Sequence, residues 1–196
     1  MTNYRSLVFN IAMSTREEII TALLDLGEEK VLPNVSLSDI AIEVGIRKAS
    51  IYSHFESQQA LVDATVLYCR ELLKQKTFNV DFKAKDARSM LVSLFDNIIK
   101  VFAEKPVSSY FSIVQQMSMF DDTFALQSRM ITSMVNARIR IALEFCVQRS
   151  WLDIRDTDYA ADLVTAAVIR KISSVLSEDA EWETDRLSDG LITLFS

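Results

Sequence analysis

Glycine and proline, the two residues that most readily interrupt a helix, occur only three and two times in 196 residues. Along nearly the whole chain apolar side chains recur three and four positions apart, the spacing that lines one face of a helix. Together these features predict an all-α chain with no strand. The three glycines, Gly27, Gly45 and Gly190, lie far apart, so neither a Walker loop nor a dinucleotide-binding glycine turn can be assembled from them. His54 is the one histidine, which leaves little for a Ser-His-Asp triad or a multi-histidine metal site. No enzyme, metal or cofactor is expected.

Apolar residues make up 49% of the chain, too many for a disordered polymer. No stretch approaches the ~18 consecutive apolar residues of a membrane span, and the run Leu7-Val8-Phe9 is broken by Asn10. Cys69 and Cys146 each sit within an apolar helical pattern, as reduced thiols of a cytoplasmic protein do. A net charge of -6 argues against wholesale coating of nucleic acid, yet a whole-chain sum says little about one local face.

Capping signals divide the chain into about nine helices. Ser14 and Glu17 have capping-box spacing and open a helix that stops before Pro33. Ser36, with Asp39 three residues on, opens a short helix to Val44, and Gly45 breaks it. A third short helix is expected from Arg47 to His54, and Ser57 caps a long one reaching about Phe78. Two adjacent stripes on that long helix, Leu61-Thr65-Tyr68-Leu72 and Val62-Val66-Cys69-Leu73, predict burial on both sides. Further helices are expected over about 87–104 and 107–119, then after Asp121-Asp122 to about Arg149, from Asp156 or Thr157 to Leu176, and from Thr184 or Asp185 to Leu194. Their inner faces include Met90, Leu91, Leu94, Ile98 and Phe102, and Asp121-Asp122 reads as a helix N-cap, with pairing to a cationic ligand as the alternative. The acidic run Glu178, Asp179, Glu181, Glu183 reads as a solvated loop rather than an acid–base pair.

Three short helices before a long one, with a lone glycine between the second and third, is the pattern of a helix-turn-helix on a helical body. Gly45 accepts the positive φ of a sharp turn without steric cost, and Ile40, Ala41, Ile46 and Ile51 supply the contacts that fix its angle. The third helix exposes Arg47, Lys48, Ser50, Ser53 and His54 while burying Ile51 and Phe55. A donor-rich face of this kind suits phosphates and base edges.

The tract Ser36-Leu37-Ser38-Asp39-Ile40-Ala41, then Gly45-Ile46, then Ser50-Ile51-Tyr52-Ser53-His54-Phe55 and Ser57 resembles the TetR family of bacterial transcriptional regulators. The resemblance covers roughly residues 15 to 62. It implies a helix-turn-helix domain at 1–60 and, over 61–196, a helical domain for ligand binding and dimerisation. It also implies DNA contacts from Arg47, Lys48, Ser50, Tyr52 and His54, with Ser36, Ser38 and Gln58 at phosphates. Family members usually carry a lysine where Gln58 stands and often a glycine where Ala49 stands. The glycine common after the first helix is replaced here by Val31-Leu32-Pro33. The competing readings are a solvated pair for Arg47 and Lys48 and ordinary half-buried helix residues for Tyr52 and His54.

For the body, the resemblance implies a cavity lined by Phe95, Phe102, Tyr110, Phe111, Met117, Phe120, Met130 and Met134, a set that suits a hydrophobic small-molecule effector. Plain core is the alternative for each of them. It also implies a homodimer built on the last two helices through Leu163, Ala167, Ile172, Leu187 and Leu191. The function so implied is a ligand-responsive repressor released from a near-palindromic operator. The alternative is a helical-bundle carrier or interaction protein for an apolar ligand that never touches DNA.

Overall fold

The structure, a computed structural model, describes residues 14–76, 78–176 and 184–195. Residues 1–13, with the Leu7-Val8-Phe9 run, and the acidic run at 178–183 lie outside the described residues. All regular elements among the described residues are helical. They are α1 (Thr15–Lys30), a 3-10 turn (Leu32–Asn34), α2 (Leu37–Val44), α3 (Lys48–Ile51), α4 (Gln58–Gln75), α5 (Ala87–Ala103), α6 (Val107–Met117), α7 (Asp122–Gln148), α8 (Thr157–Leu176) and α9 (Thr184–Phe195). The chain forms two compact units that divide within α4, between Glu71 and Leu72.

In the first unit both expected capping boxes are present. Ser14 Oγ accepts from the Glu17 amide at 3.3 Å while the Glu17 carboxylate accepts from the Ser14 amide at 3.0 Å. Orphan donors at the start of α1 are thereby satisfied. Helix α1 turns Ile19, Ile20, Leu23 and Leu24 into a core shared with Ile40 of α2, Ile51 of α3 and Leu61 of α4, all closed to solvent. The Arg16 guanidinium lies over the Phe55 ring, 4.8 Å from its centroid, and so covers the edge of that core.

Helix α1 ends on a strained residue. Val31 adopts φ 64, ψ 129, a left-handed conformation costly for any β-branched side chain. The turn is held by the Asn34 amide donating to the Val31 carbonyl at 2.9 Å and the Asn34 side chain donating to the Lys30 carbonyl at 2.9 Å. Val31 itself is exposed and gains little from burial. Strain of about 1–3 kcal/mol outweighs the roughly 0.5–1 kcal/mol of extra chain entropy that a glycine brings. Val31→Gly is therefore expected to stabilise the protein by about 1 kcal/mol, read as a rise in the denaturation midpoint. An unchanged or lower midpoint would mean that the valine makes a compensating contact.

Two elements differ from expectation. Helix α3 is one turn long instead of running to His54, because the Ser53 amide bonds back to the Ser50 carbonyl and the His54 amide to that of Ile51. This three-residue spacing tightens the chain beyond the α pitch. Helix α4 ends at Gln75 instead of Phe78, since the Phe78 ring leaves the helix to stack on Phe102 at 6.0 Å. The two stripes of α4 are also less uniformly covered than expected. Leu61, Thr65, Val66, Cys69 and Leu73 are buried, but Val62, Tyr68 and Leu72 are only half-buried and Leu67 is exposed.

The second unit is organised around α5, which meets α6, α7, α8 and α9. Its Met90, Leu91, Leu94, Phe95, Ile98 and Phe102 are inaccessible to solvent. Phe102 also meets Phe111 edge-on at 5.2 Å, and a second aromatic chain runs from Phe82 through Phe145 to Trp151. Arg88 at the start of α5 forks onto Asp185 and Asp189 of α9, both at 2.8 Å. Burial pushes the thiols of Cys69 and Cys146 up to about 12 and about 11, so both stay protonated and inert. Among the described residues no helix is long and apolar enough to cross a membrane.

Candidate nucleic-acid interface

The turn after α2 is closed by two backbone hydrogen bonds: the Gly45 amide donates to the Ile42 carbonyl at 3.2 Å and the Ile46 amide to the Ala41 carbonyl at 2.9 Å. This is the Schellman arrangement, and it requires a left-handed residue at its centre. Gly45, at φ 73 and ψ 28, supplies it. Chain direction is thus set by the backbone alone, and α3 begins three residues later.

At the other end of α2 the Ser36 hydroxyl donates to Asp39 Oδ2 at 2.6 Å and accepts from the Asp39 amide at 3.2 Å. Lys30 reaches the same carboxylate at 3.2 Å. The Ser36 hydrogen bonds, with the Lys30 ammonium beside them, hold the Asp39 carboxyl at about 2, well below the ordinary carboxylate range. The Ser36 hydroxyl is therefore committed to the cap. Gln58, the first residue of α4, donates its side-chain amide to the Val35 carbonyl at 2.8 Å. It ties α4 to the residue preceding that cap and retains one further N–H and its carbonyl oxygen.

The remaining residues singled out for DNA contact fall on the outer surface. Ser38, Arg47, Lys48, Tyr52 and His54 are exposed, and Ser50 is half-buried. No carboxylate lies between Arg47 and Phe55; Glu56 follows at the far end. Ile51 and Phe55 face inward as expected. Between the charged and aromatic side chains lie Ala49 and Ser53, both exposed. The resemblance does not single out Ser53, although its spacing of four from Ala49, on the side away from Ile51, marks it as outward-facing.

In the second unit the residues expected to line a cavity separate into three groups. Phe95, Phe102, Tyr110 and Phe111 are closed within the core, Met117 and Met134 are half-buried, and Phe120 and Met130 are exposed. The Tyr110 hydroxyl meets the buried Gln127 side chain at 3.2 Å. An open groove of about 560 Å³ between α7 and α8 is lined by other residues, including Arg129, Asn136, Asp162 and Thr165. Of those expected at a dimer interface, Leu163 and Ala167 are exposed on α8, Leu187 is half-buried, and Ile172 and Leu191 are buried within the unit.

Comparison with known proteins finds its matches in sequence mainly within the first unit. Residues 19–65 match the family model described as bacterial regulatory proteins, tetR family. The nucleoid occlusion factor SlmA of Marinobacter nauticus is 27% identical over 92 residues, 47% of each chain. The biofilm operon icaADBC HTH-type negative transcriptional regulator IcaR of Staphylococcus aureus is 36% identical over 58 residues, 30% of this chain and 31% of its own length. The matched part thus spans half or less of these relatives. The fold extends further: the crystal structure of AibR in complex with isovaleryl coenzyme A and operator DNA superposes with a TM-score of 0.65 over 92% of this chain and 97% of that one, at 13% identity.

Proposed function

We propose, from the premise that through its helix-turn-helix segment this chain belongs to the tetR family of bacterial regulatory proteins, that it is a ligand-responsive transcriptional regulator acting as a repressor. The observation that carries the proposal is the left-handed Gly45 turn, which holds a face of exposed donors, free of carboxylates between Arg47 and Phe55, at the start of α3. In this reading residues 1–60 read a duplex and 61–196 sense and dimerise. Arg47, Lys48, Ser50, Tyr52 and His54 enter a major groove, with Ser38 and the free amides at the start of α2 on a phosphate. Ser36 and Gln58 contribute by fixing where α2 begins, and Gln58 adds its free N–H where the family carries a lysine.

The test is a titration on the selected operator and on scrambled duplex at several salt concentrations. Arg47→Ala and Lys48→Ala are expected to weaken binding to both duplexes and to lower the salt slope by about one each, the signature of a lost phosphate contact. Changes at Ser50 or His54 are expected to alter sequence preference instead. If neither cation affects affinity, this surface is not the reader.

A reader of two half-sites needs two copies. The outward face of α8 offers Tyr159, Leu163, Ala166 and Ala167, all exposed, and small residues there allow close helix approach. Leu163→Asp is expected to convert a dimer to a monomer by sedimentation and to lower operator affinity by on the order of 100-fold, because the second half-site is lost. A wild-type chain that is monomeric at micromolar concentration would overturn the two-copy model.

The effector is proposed to be a hydrophobic small molecule, with acyl-coenzyme A thioesters as first probes because AibR is described in complex with one. Phe95, Phe102, Tyr110 and Phe111 are closed to solvent, so entry requires a second arrangement of the second unit. Ligand can shift operator affinity only by its preference for that arrangement.

A further inference from the structure

We propose that Ser53 is a base-reading residue of this protein and that it reads an amino group: the N6 amino of adenine or the N4 amino of cytosine. The proposal rests on the DNA-reading assignment of the same surface and specifies its chemistry at one position. Its basis is the direction of one hydrogen bond. A serine hydroxyl ordinarily rotates to suit its partner, donating or accepting. Here the Ser53 hydroxyl donates to the Ser50 carbonyl at 2.6 Å, a short bond within the same turn. The proton is spent, and the two oxygen lone pairs are what the side chain presents outward.

Position adds to this. Ile51 and Phe55 are buried, whereas Ala49 and Ser53, four residues apart, are exposed on the side away from them. Ala49 carries no polar side-chain atom, so nothing one turn earlier competes for the base that Ser53 faces. Arg47 and Lys48, both exposed, can only donate. They match phosphate oxygens or the guanine O6 and N7 acceptors, and an amino group must be met by something else. In the major groove adenine and cytosine expose amino donors, while guanine and thymine expose O6 and O4 acceptors. An oxygen that can only accept discriminates between the two sets.

The experiment starts from selection on a random duplex library with wild-type protein and with Ser53→Ala, an exposed substitution that removes no core contact. Each half-site is expected to contain one base pair selected by the wild type and relaxed in the variant. At that position 2-aminopurine in place of adenine, or 2-pyrimidinone in place of cytosine, deletes the major-groove amino group. Wild type is expected to lose roughly three- to tenfold in affinity, the worth of one hydrogen bond, while Ser53→Ala binds the parent and analogue duplexes equally. Arg47→Ala should bind more weakly throughout and keep the analogue effect. Because an adenine or cytosine on one strand always faces thymine or guanine on the other, the analogues decide: a Ser53-dependent preference that survives deletion of the amino group would overturn the proposal by showing that the hydroxyl donates, as would an analogue effect retained in Ser53→Ala. In both cases DNA reading by this face would stand. If neither protein prefers any duplex to scrambled DNA, the DNA-reading assignment fails and the Ser53 proposal with it.

Discussion

Gly45→Val is expected to weaken operator recognition by on the order of tenfold while leaving the second unit folded. At φ 73 an added Cβ would meet no neighbour within 4 Å, so the penalty comes from the backbone and not from crowding. For an L-residue that penalty is about 1–2 kcal/mol, and a β-branched side chain stands at its upper end. Relieving it means leaving the left-handed region, which breaks the Gly45-to-Ile42 and Ile46-to-Ala41 hydrogen bonds and changes the direction in which α3 leaves α2. Gly45→Asn, whose side chain tolerates this conformation, is the matched control and should retain most binding. Fluorescence anisotropy on operator DNA reads the effect, and amide spectra of the second unit report that its fold is intact. Full binding by the valine variant would show that α3 is oriented by something other than this turn.

Phe102→Ala is expected to destabilise the second unit by about 3–5 kcal/mol, as truncation of a fully buried aromatic residue does. Phe102 has no solvent exposure. Its ring is stacked on Phe78 and met edge-on by Phe111 at centroid distances of 6.0 and 5.2 Å, contacts that add to the area term. For a domain of this size the loss corresponds to a fall in midpoint on the order of 10 °C. The same variant probes the proposed effector site. A small apolar molecule added to it should recover part of the lost stability by filling the new cavity. A loss below about 1 kcal/mol in the wild-type background would mean that the Phe102 environment is already loose, as a preformed ligand cavity would be, and not packed core.

How much of this was legible before the fold was known depends on the distance over which each feature is determined. Ser14 with Glu17 and Ser36 with Asp39 are reciprocal caps spanning three residues, and spacing alone predicts them. The inward face of α5, from Met90 to Phe102, follows from periodicity over seventeen residues. The one-turn length of α3 does not, because Ser53 and His54 are compatible with either an α or a tighter turn and the choice rests with the local hydrogen bonds. Nor does the end of α4, where Phe78 trades a further helical turn for a stack on Phe102, a partner 24 positions along the chain.

The candidate interface divides in the same way. Gly45, Arg47, Lys48, Tyr52 and His54 are recognisable from order and spacing. The direction in which the Ser53 hydroxyl donates, the commitment of Ser36 to its cap and the use of Gln58 to hold Val35 are properties of placed atoms. By itself the sequence determined that this chain is helical, where most helices begin, and that a glycine turn precedes a donor-rich segment, because each of these depends on residues within one or two turns of one another. Only the tertiary structure decided which side chains are closed into the core, that Val31 bears backbone strain, and which polar groups remain free for a partner. Burial and hydrogen-bond satisfaction are set by residues that come together only when the chain folds.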